Sequence, residues 1–396
     1  MSTPSRFDPR PLAALRAAFD LTAGAAVLHV PADYATIQAA VDAATGGDQV
    51  RVAAGTYAEN VVIEDKAIDL ASESRARATI IDGQDRGSVV RIGWANGTRV
   101  SGFTLRNGRA AQGGGVYVVA SVATIENCIV TGNAATGEGG GVALIDAGAT
   151  IRHNRIALNG AERGAGVFLR SRKALLFDNA IEDNGADDLG GGVMVDDGEP
   201  TILRNVIRGN DAGLGSGGGI YVDQSSPEVA DNLLAGNQAQ FGGGIYVDGR
   251  GRSQGRWFDN TVADNSGGGN PGSQLRIVDG HRILFANNVF SGSRALHCVD
   301  EVNGLSPRFE FNDVDGGADG TCAGTATGGT NLQRDPLFTR GENGHPYHLS
   351  PASPLVDAGS NELAAPLRRD LGGRPRIIDG GRGPVVDIGA FEYRPE

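Results

Sequence analysis

Gly217-Gly218-Gly219-Ile220-Tyr221-Val222-Asp223 returns unchanged as Gly242-Gly243-Gly244-Ile245-Tyr246-Val247-Asp248. Looser copies begin at Gly113, Gly139, Gly164 and Gly190, so successive starts lie 26, 25, 26, 27 and 25 residues apart. A period in this range marks a solenoid, in which each repeat buries its apolar face only against its neighbours.

Each copy reads as a strand. The first residue after the glycines is Val116, Val142, Val167, Val193, Ile220 or Ile245, and the third is Val118, Leu144, Leu169, Val195, Val222 or Val247. Aliphatic residues at period two predict one buried strand face. The second position holds Tyr117, Ala143, Phe168, Met194, Tyr221 and Tyr246, and the fourth holds Val119, Ile145, Arg170, Asp196, Asp223 and Asp248. These share the other face, so aromatics and carboxylates are expected together on the outer surface, with equivalent positions about 4.8 Å apart.

Between the glycine strands run shorter apolar segments, each ending near an asparagine: Asn127, Asn154, Asn179, Asn205, Asn232, Asn260, Asn288 and Asn312. A second series follows at Asn133, Asn159, Asn184, Asn210, Asn237 and Asn265. Asn tolerates a tight left-handed turn, and its amide can bond the same amide one coil away. Two asparagine ladders are predicted.

The chain of 396 residues contains 62 glycines, without a collagen triplet, and its net charge of -12 disfavours a duplex nucleic-acid partner. No apolar run is as long as a membrane span. Leu12 to Val30 is apolar but broken by Arg16 and Asp20, which makes a poor secretion signal. Cys298 and Cys322 lie 24 residues apart, near one coil length. They can stack and bridge, though spacing leaves a bridge and two free thiols equally open; Cys128 is expected as a buried free thiol.

Residues 1–27 read as a tail. Asp33 is placed to cap a helix from Tyr34 to about Ala44, followed by strands at Gln49–Val52, Val61–Ile63, Ile68–Leu70 and Thr79–Ile81, with Ala54–Tyr57 as a turn. The stretch TIQAAVDAATGGDQVRVAAGTYAENV resembles the opening of right-handed parallel β-helix proteins such as pectin methylesterases and pectate-lyase-like proteins. The resemblance implies an all-β, single-stranded right-handed parallel β-helix, here of roughly ten coils. An N-terminal cap with the first coils would occupy 28–86, the repeats 87–315 and an irregular C-terminal cap 316–396. Asp335-Pro336-Leu337-Phe338, Tyr347-His348-Leu349, Arg369-Asp370-Leu371-Gly372-Gly373-Arg374-Pro375 and Val386-Asp387-Ile388-Gly389-Ala390-Phe391-Glu392 occur in an order that resembles the C-terminal block of bacterial β-helix proteins of the choice-of-anchor Q kind. That implies a bacterial, secreted or cell-surface setting. The block is expected to cap the last coil, its Asp and Arg residues pairing with one another.

The candidate chemistry lies on the outer face of the glycine strands. Tyr117, Phe168, Tyr221 and Tyr246 are read as platforms for sugar rings, with Arg172 as a further substrate contact. Asp196, Asp197, Asp223 and Asp248 would repel one another and attract a cation, and oxygen ligands suit Ca²⁺. In the pectate lyases that the fold resembles, Ca²⁺ neutralises a uronate while an Arg or Lys removes the C5 proton. The resemblance makes Arg170 or Lys173 the candidate base. The expected partner is an acidic polysaccharide, bound by a monomer and cleaved, if at all, by β-elimination. The alternative is a non-catalytic surface or adhesin-like stalk, in which outward aromatics stiffen the strands and outward carboxylates keep them soluble. The Asp-Pro-His motif of alginate epimerases is absent, and no pair among the six histidines has zinc spacing.

Overall fold

The computed structural model describes residues 24–395 apart from 172, 251–252, 270–271, 281, 293–294, 300–306, 342–343, 345 and 365–368. Most of the expected tail therefore lies outside the described residues. The rest winds into three long parallel sheets of 12, 11 and 11 strands, and a four-stranded parallel sheet stands beside them. One coil runs through Thr150–Arg152 in the first sheet, Arg155–Ala157 in the second, Gly160–Arg163 in the short sheet and Val167–Arg170 in the glycine sheet. Eleven strands in the glycine sheet make eleven coils, close to the expected ten.

The repeat alignment holds residue by residue. Ile220 pairs with Ile245, Tyr221 with Tyr246, Val222 with Val247 and Asp223 with Asp248. The first and third positions of all six copies are buried in one continuous core. The three glycines serve distinct needs. Gly217 has φ +70°, a Cβ on Gly218 would lie 2.2 Å from the carbonyl oxygen of Gln238, and one on Gly219 would lie 2.5 Å from that of Gly244. Backbone contacts of this kind cannot rotate away. Gly219→Ala is expected to cost about 2–3 kcal/mol by forcing adjacent coils apart, read as a lower midpoint in chemical denaturation; an unchanged midpoint would refute the close-packing account.

Both asparagine ladders form. Asn154, Asn179, Asn205, Asn232, Asn260, Asn288 and Asn312 each donate from Nδ2 to Oδ1 of the next member at 2.9–3.1 Å, and the series ends on Asn331. The second ladder runs from Asn133 through Asn265 and ends on Oε1 of Gln274. Asn127 is a correction. It occupies the left-handed turn position, with φ 54°, and Cys128 fills the ladder position, its N–H donating to Asn154 Oδ1. Cys128 is a free buried thiol, pushed up to about 11 by burial, which makes it inert.

The N-terminal helix, α1, is Ile37–Ala43, shorter than expected. Its cap is Thr36, whose hydroxyl accepts from Ala39 N–H, while Glu59 accepts from the N–H groups of Ile37 and Gln38. Asp33 accepts instead from His29 N–H. Gly55–Tyr57, read as a turn, is the first strand of the second sheet.

The far end is closed by the short helix α2, Ala323–Ala326, beside a disulfide between Cys298 and Cys322, which settles the open alternative. The block after Asp335 does not sit on that end. It folds back along the outside of the second sheet. Ala390 N–H donates to Thr261 Oγ1, Gly389 N–H to the Asn287 carbonyl, and Tyr347 Oη to Asp264. The cause is apolar surface. Leu233 and Ala235 pack with Ala390 and Phe391, and Val289 packs with Leu349, Leu355 and Ile388. Outward positions on those strands would otherwise face water. Among the described residues no helix is long and apolar enough to cross a membrane.

Candidate functional site

The outer face of the glycine sheet is flanked by the four-stranded sheet, which forms a ledge along it. The ledge strands are Arg109–Gln112, Ala134–Glu138, Gly160–Arg163 and Gly185–Leu189. Register aligns Gln112, Glu138, Arg163 and Leu189, and isolated bridges extend the row to Ser216 and Phe241.

The ledge changes the meaning of the second-position residues. Ala143, Phe168, Met194 and Tyr221 are buried in an apolar cluster that Leu189 joins. Phe168 and Tyr221 are therefore not open platforms, and that expectation is corrected: strand alternation names the face, and neighbours in the row cover it together with Leu189 of the ledge and Arg170. Tyr246 is half-buried and stacks on Tyr221 with centroids 5.2 Å apart and planes 4° from parallel. Tyr117, also half-buried, lies 5.9 Å from the Arg91 guanidinium.

The fourth-position residues make a charged seam in front of the ledge. Arg170 Nε donates to Asp196 Oδ2 at 3.0 Å, and Arg170 Nη2 lies 3.7 Å from Glu138 Oε1. Arg163 Nη2 bonds the same Glu138 oxygen at 3.2 Å, and Gln112 donates to its other oxygen. The Arg170 guanidinium lies 5.1 Å from the Phe168 ring centroid. Burial acts to lower the Arg170 pKa, but the hydrogen bond to Asp196 and the charges of Asp196, Glu138 and Asp146 outweigh it, and the net direction is upward. Arg170 is thus held as a cation, which suits binding an anion and works against taking up a proton. Further along, Arg250 bridges Asp248 at 3.1 Å and Asp223 at 3.7 Å. Burial pushes Asp223 up, Arg250 opposes it, and Asp248 and Asp196 add to the rise.

Lys173 is exposed in the corner after the strand, and no described ion pair joins it to the seam. Arg172 lies outside the described residues. Asp197 is exposed at φ 48°, in the turn beyond Asp196. Among the described residues no group of three or more His, Cys, Asp or Glu side chains is placed to hold a metal ion. Asp196 is engaged by Arg170, while Asp223 and Asp248 share Arg250, so the four aspartates do not fit a Ca²⁺ cage as they stand.

Sequence reasoning missed the continuation of the second-position row. Beyond Tyr246 it reads Arg276, His297 and Asp319 in register. The glycine triplet that marked earlier copies is lost there, replaced by Gly272-Ser273-Gln274. The signal was the apolar pair Leu275 and Ile277 at unchanged spacing.

Comparison with known proteins agrees with this architecture. Residues 88–266 match a family model described as a right handed beta helix region. The chain is a right-handed parallel β-helix. No curated protein matches it. Among solved structures, pectate lyase Pel9A superposes with a TM-score of 0.54 at 14% identity, over 95% of this chain and 99% of that one. A mutant of the PL6 family alginate lyase AlyGC gives a TM-score of 0.39 at 14% identity, covering 86% and 58%. The pectin methylesterase from Aspergillus niger gives 0.28 at 12% identity, covering 79% and 91%. At 14% identity the likeness to pectate lyase Pel9A is one of fold.

Proposed function

We propose that this β-helix binds and processes an acidic polysaccharide along the ledge-walled outer face of its glycine sheet, outside the cell. The observation that carries the reading is the seam of Glu138, Arg163, Arg170 and Asp196, continued by Asp223, Asp248 and Arg250. These groups recur coil by coil on a partly open strip, as an extended charged polymer requires. The pectate lyase likeness in fold supports it. In this reading Arg170 holds a uronate carboxylate. Lys173, uncommitted to the seam, accepts the C5 proton in its neutral form as the C4–oxygen bond breaks, a C4=C5 double bond forms and the departing oxygen takes a proton from water.

The test is absorbance of unsaturated product across a panel of polyuronates and glycosaminoglycans, with and without added Ca²⁺. Lys173→Ala is expected to reduce turnover by about 100-fold or more. Arg170→Gln is expected to raise KM more than it lowers kcat, because it removes binding. Turnover that survives Lys173→Ala overturns the assigned base. A second reading, the rigid non-catalytic stalk, is favoured by the burial of Phe168 and Tyr221 and by the mutual pairing of the seam charges. Absence of both turnover and glycan binding would establish it.

A further inference from the structure

Two shielded polar atoms stand side by side near the C-terminal end of the same face. Nε of Arg276 and Nδ1 of His297 are both cut off from solvent without a hydrogen-bond partner among the described residues. They belong to adjacent coils in direct register. Buried donors and acceptors are almost always satisfied, so two orphans on neighbouring residues point to a missing partner. Asp319 Oδ2 is 4.0 Å from His297 Nδ1, beyond hydrogen-bond reach, and its side chain is largely exposed.

The surroundings constrain what that partner is. The Arg276 guanidinium lies 4.7 Å from the Phe241 ring centroid, which holds it by cation–π attraction and leaves it without a described carboxylate of its own. Phe241 is the last residue of the ledge row, so the ledge positions this arginine. Tyr246 precedes Arg276 in the row and stacks on Tyr221, so a flat aromatic surface borders the cation. Gly272 brings its backbone against His297, where a Cβ would lie 2.9 Å from that of the histidine. Burial lowers the His297 pKa, Arg276 lowers it further, and Asp319 opposes them, so the net direction is downward.

The geometry points to a binding site for a carboxylate or sulfate group carried on a sugar ring, with the half-buried Arg276 guanidinium supplying the charge and a side-chain shift on entry bringing its Nε and His297 Nδ1 onto the oxyanion, beside Tyr246. It rests on the acidic-glycan reading for the source of the anion and extends it. Arg170 to Arg276 spans four coils of the glycine sheet, about 19 Å at about 4.8 Å each. The seam and this site would engage different sugars of one chain.

The experiment follows the His297 ring by NMR while the protein is titrated with oligogalacturonate, a sulfated oligosaccharide, a neutral oligosaccharide and inorganic sulfate. The expected result is a shift of the ring signals and a raised His297 pKa with an acidic ligand and no response to the neutral one. Arg276→Gln should weaken the response about tenfold or more. The stronger of the carboxylate and sulfate arms identifies the group. Ring signals indifferent to every anion, or an undiminished response in Arg276→Gln, would overturn the site. If inorganic sulfate binds in an Arg276-dependent manner while no acidic glycan does, the anion site stands and the glycan reading falls. If oligogalacturonate binds the Arg276→Gln protein as tightly as the unsubstituted one, the glycan reading stands and this site falls.

Discussion

Asn205→Ala is expected to lower the unfolding free energy by about 3–5 kcal/mol, among the largest effects available to one substitution in this chain. Asn205 is fully buried at the centre of the first ladder. Its Nδ2 donates to the carbonyls of Leu176 and Leu203 and to Asn232 Oδ1, while its Oδ1 accepts from the backbone and side-chain amides of Asn179. Alanine removes all of these. The stranded groups belong to two neighbouring coils, and leaving a buried partner unsatisfied costs more than a hydrogen bond contributes net. Asn331→Ala, at the half-buried end of the ladder, should cost about 1 kcal/mol. Urea denaturation of both variants checks the contrast. Equal losses would mean that the ladder is not cooperative.

Arg376→Met should cost about as much, by about 3–5 kcal/mol near pH 8, through stranded charge. The Arg376 side chain is buried in the C-terminal block, where it pairs with Asp231 of the solenoid and with Glu392, and donates to the Gly389 carbonyl. Burial pushes the Asp231 and Glu392 carboxyls upward, and the Arg376 charge is what restrains them. Methionine keeps the volume and removes the restraint. The pH sign follows. A carboxyl whose folded pKa lies above its unfolded value binds more protons when folded, so stability is lost as pH rises from about 4 through the folded value. The variant's deficit should therefore be greatest near about pH 8 and shrink towards about pH 5, where both acids are protonated. Denaturation at the two pH values, with limited proteolysis of the block, reads it. A deficit that does not change with pH would show that packing, not charge, holds the block down.

Much of the fold was legible because it repeats. The solenoid, the inward rows, both ladders and the spacing behind the disulfide follow from positions recurring every coil. A one-residue slip at Asn127 arose because Asn suits both the left-handed turn and the ladder, and only the neighbouring coils distinguish them. The ledge was not legible. Its strands, such as Arg109–Gln112 and Gly160–Arg163, are short and lack alternating apolar residues. Their pairing comes from being stacked by the coils around them. Without the ledge, Phe168 and Tyr221 read as open rings. The docking of the C-terminal block was hidden for a related reason. The partner of Arg376 is Asp231, 145 residues away, and nothing local announces it. In the candidate site, Arg170 and the aspartates were placed on the correct face, but which of them cancel one another depends on side-chain directions that spacing does not carry.

The backward course of the C-terminal block has a mechanical consequence. A solenoid of near-identical coils resembles a stack of coins, each held only by the ones above and below, and frays from its ends. The block touches Asp231, Thr261 and Asn287, residues from three successive coils, and lies across them as a splint. Coils under the splint cannot peel away singly, because losing one means lifting the block from all three. The described polar contacts of the block with the solenoid begin at Asp231. The molecule is thus stiff and cooperative over its C-terminal third and open to stepwise loosening over the rest. The boundary between the two regimes falls within the charged seam, between Asp223 and Asp248, and the Arg276–His297 pair lies on the braced side.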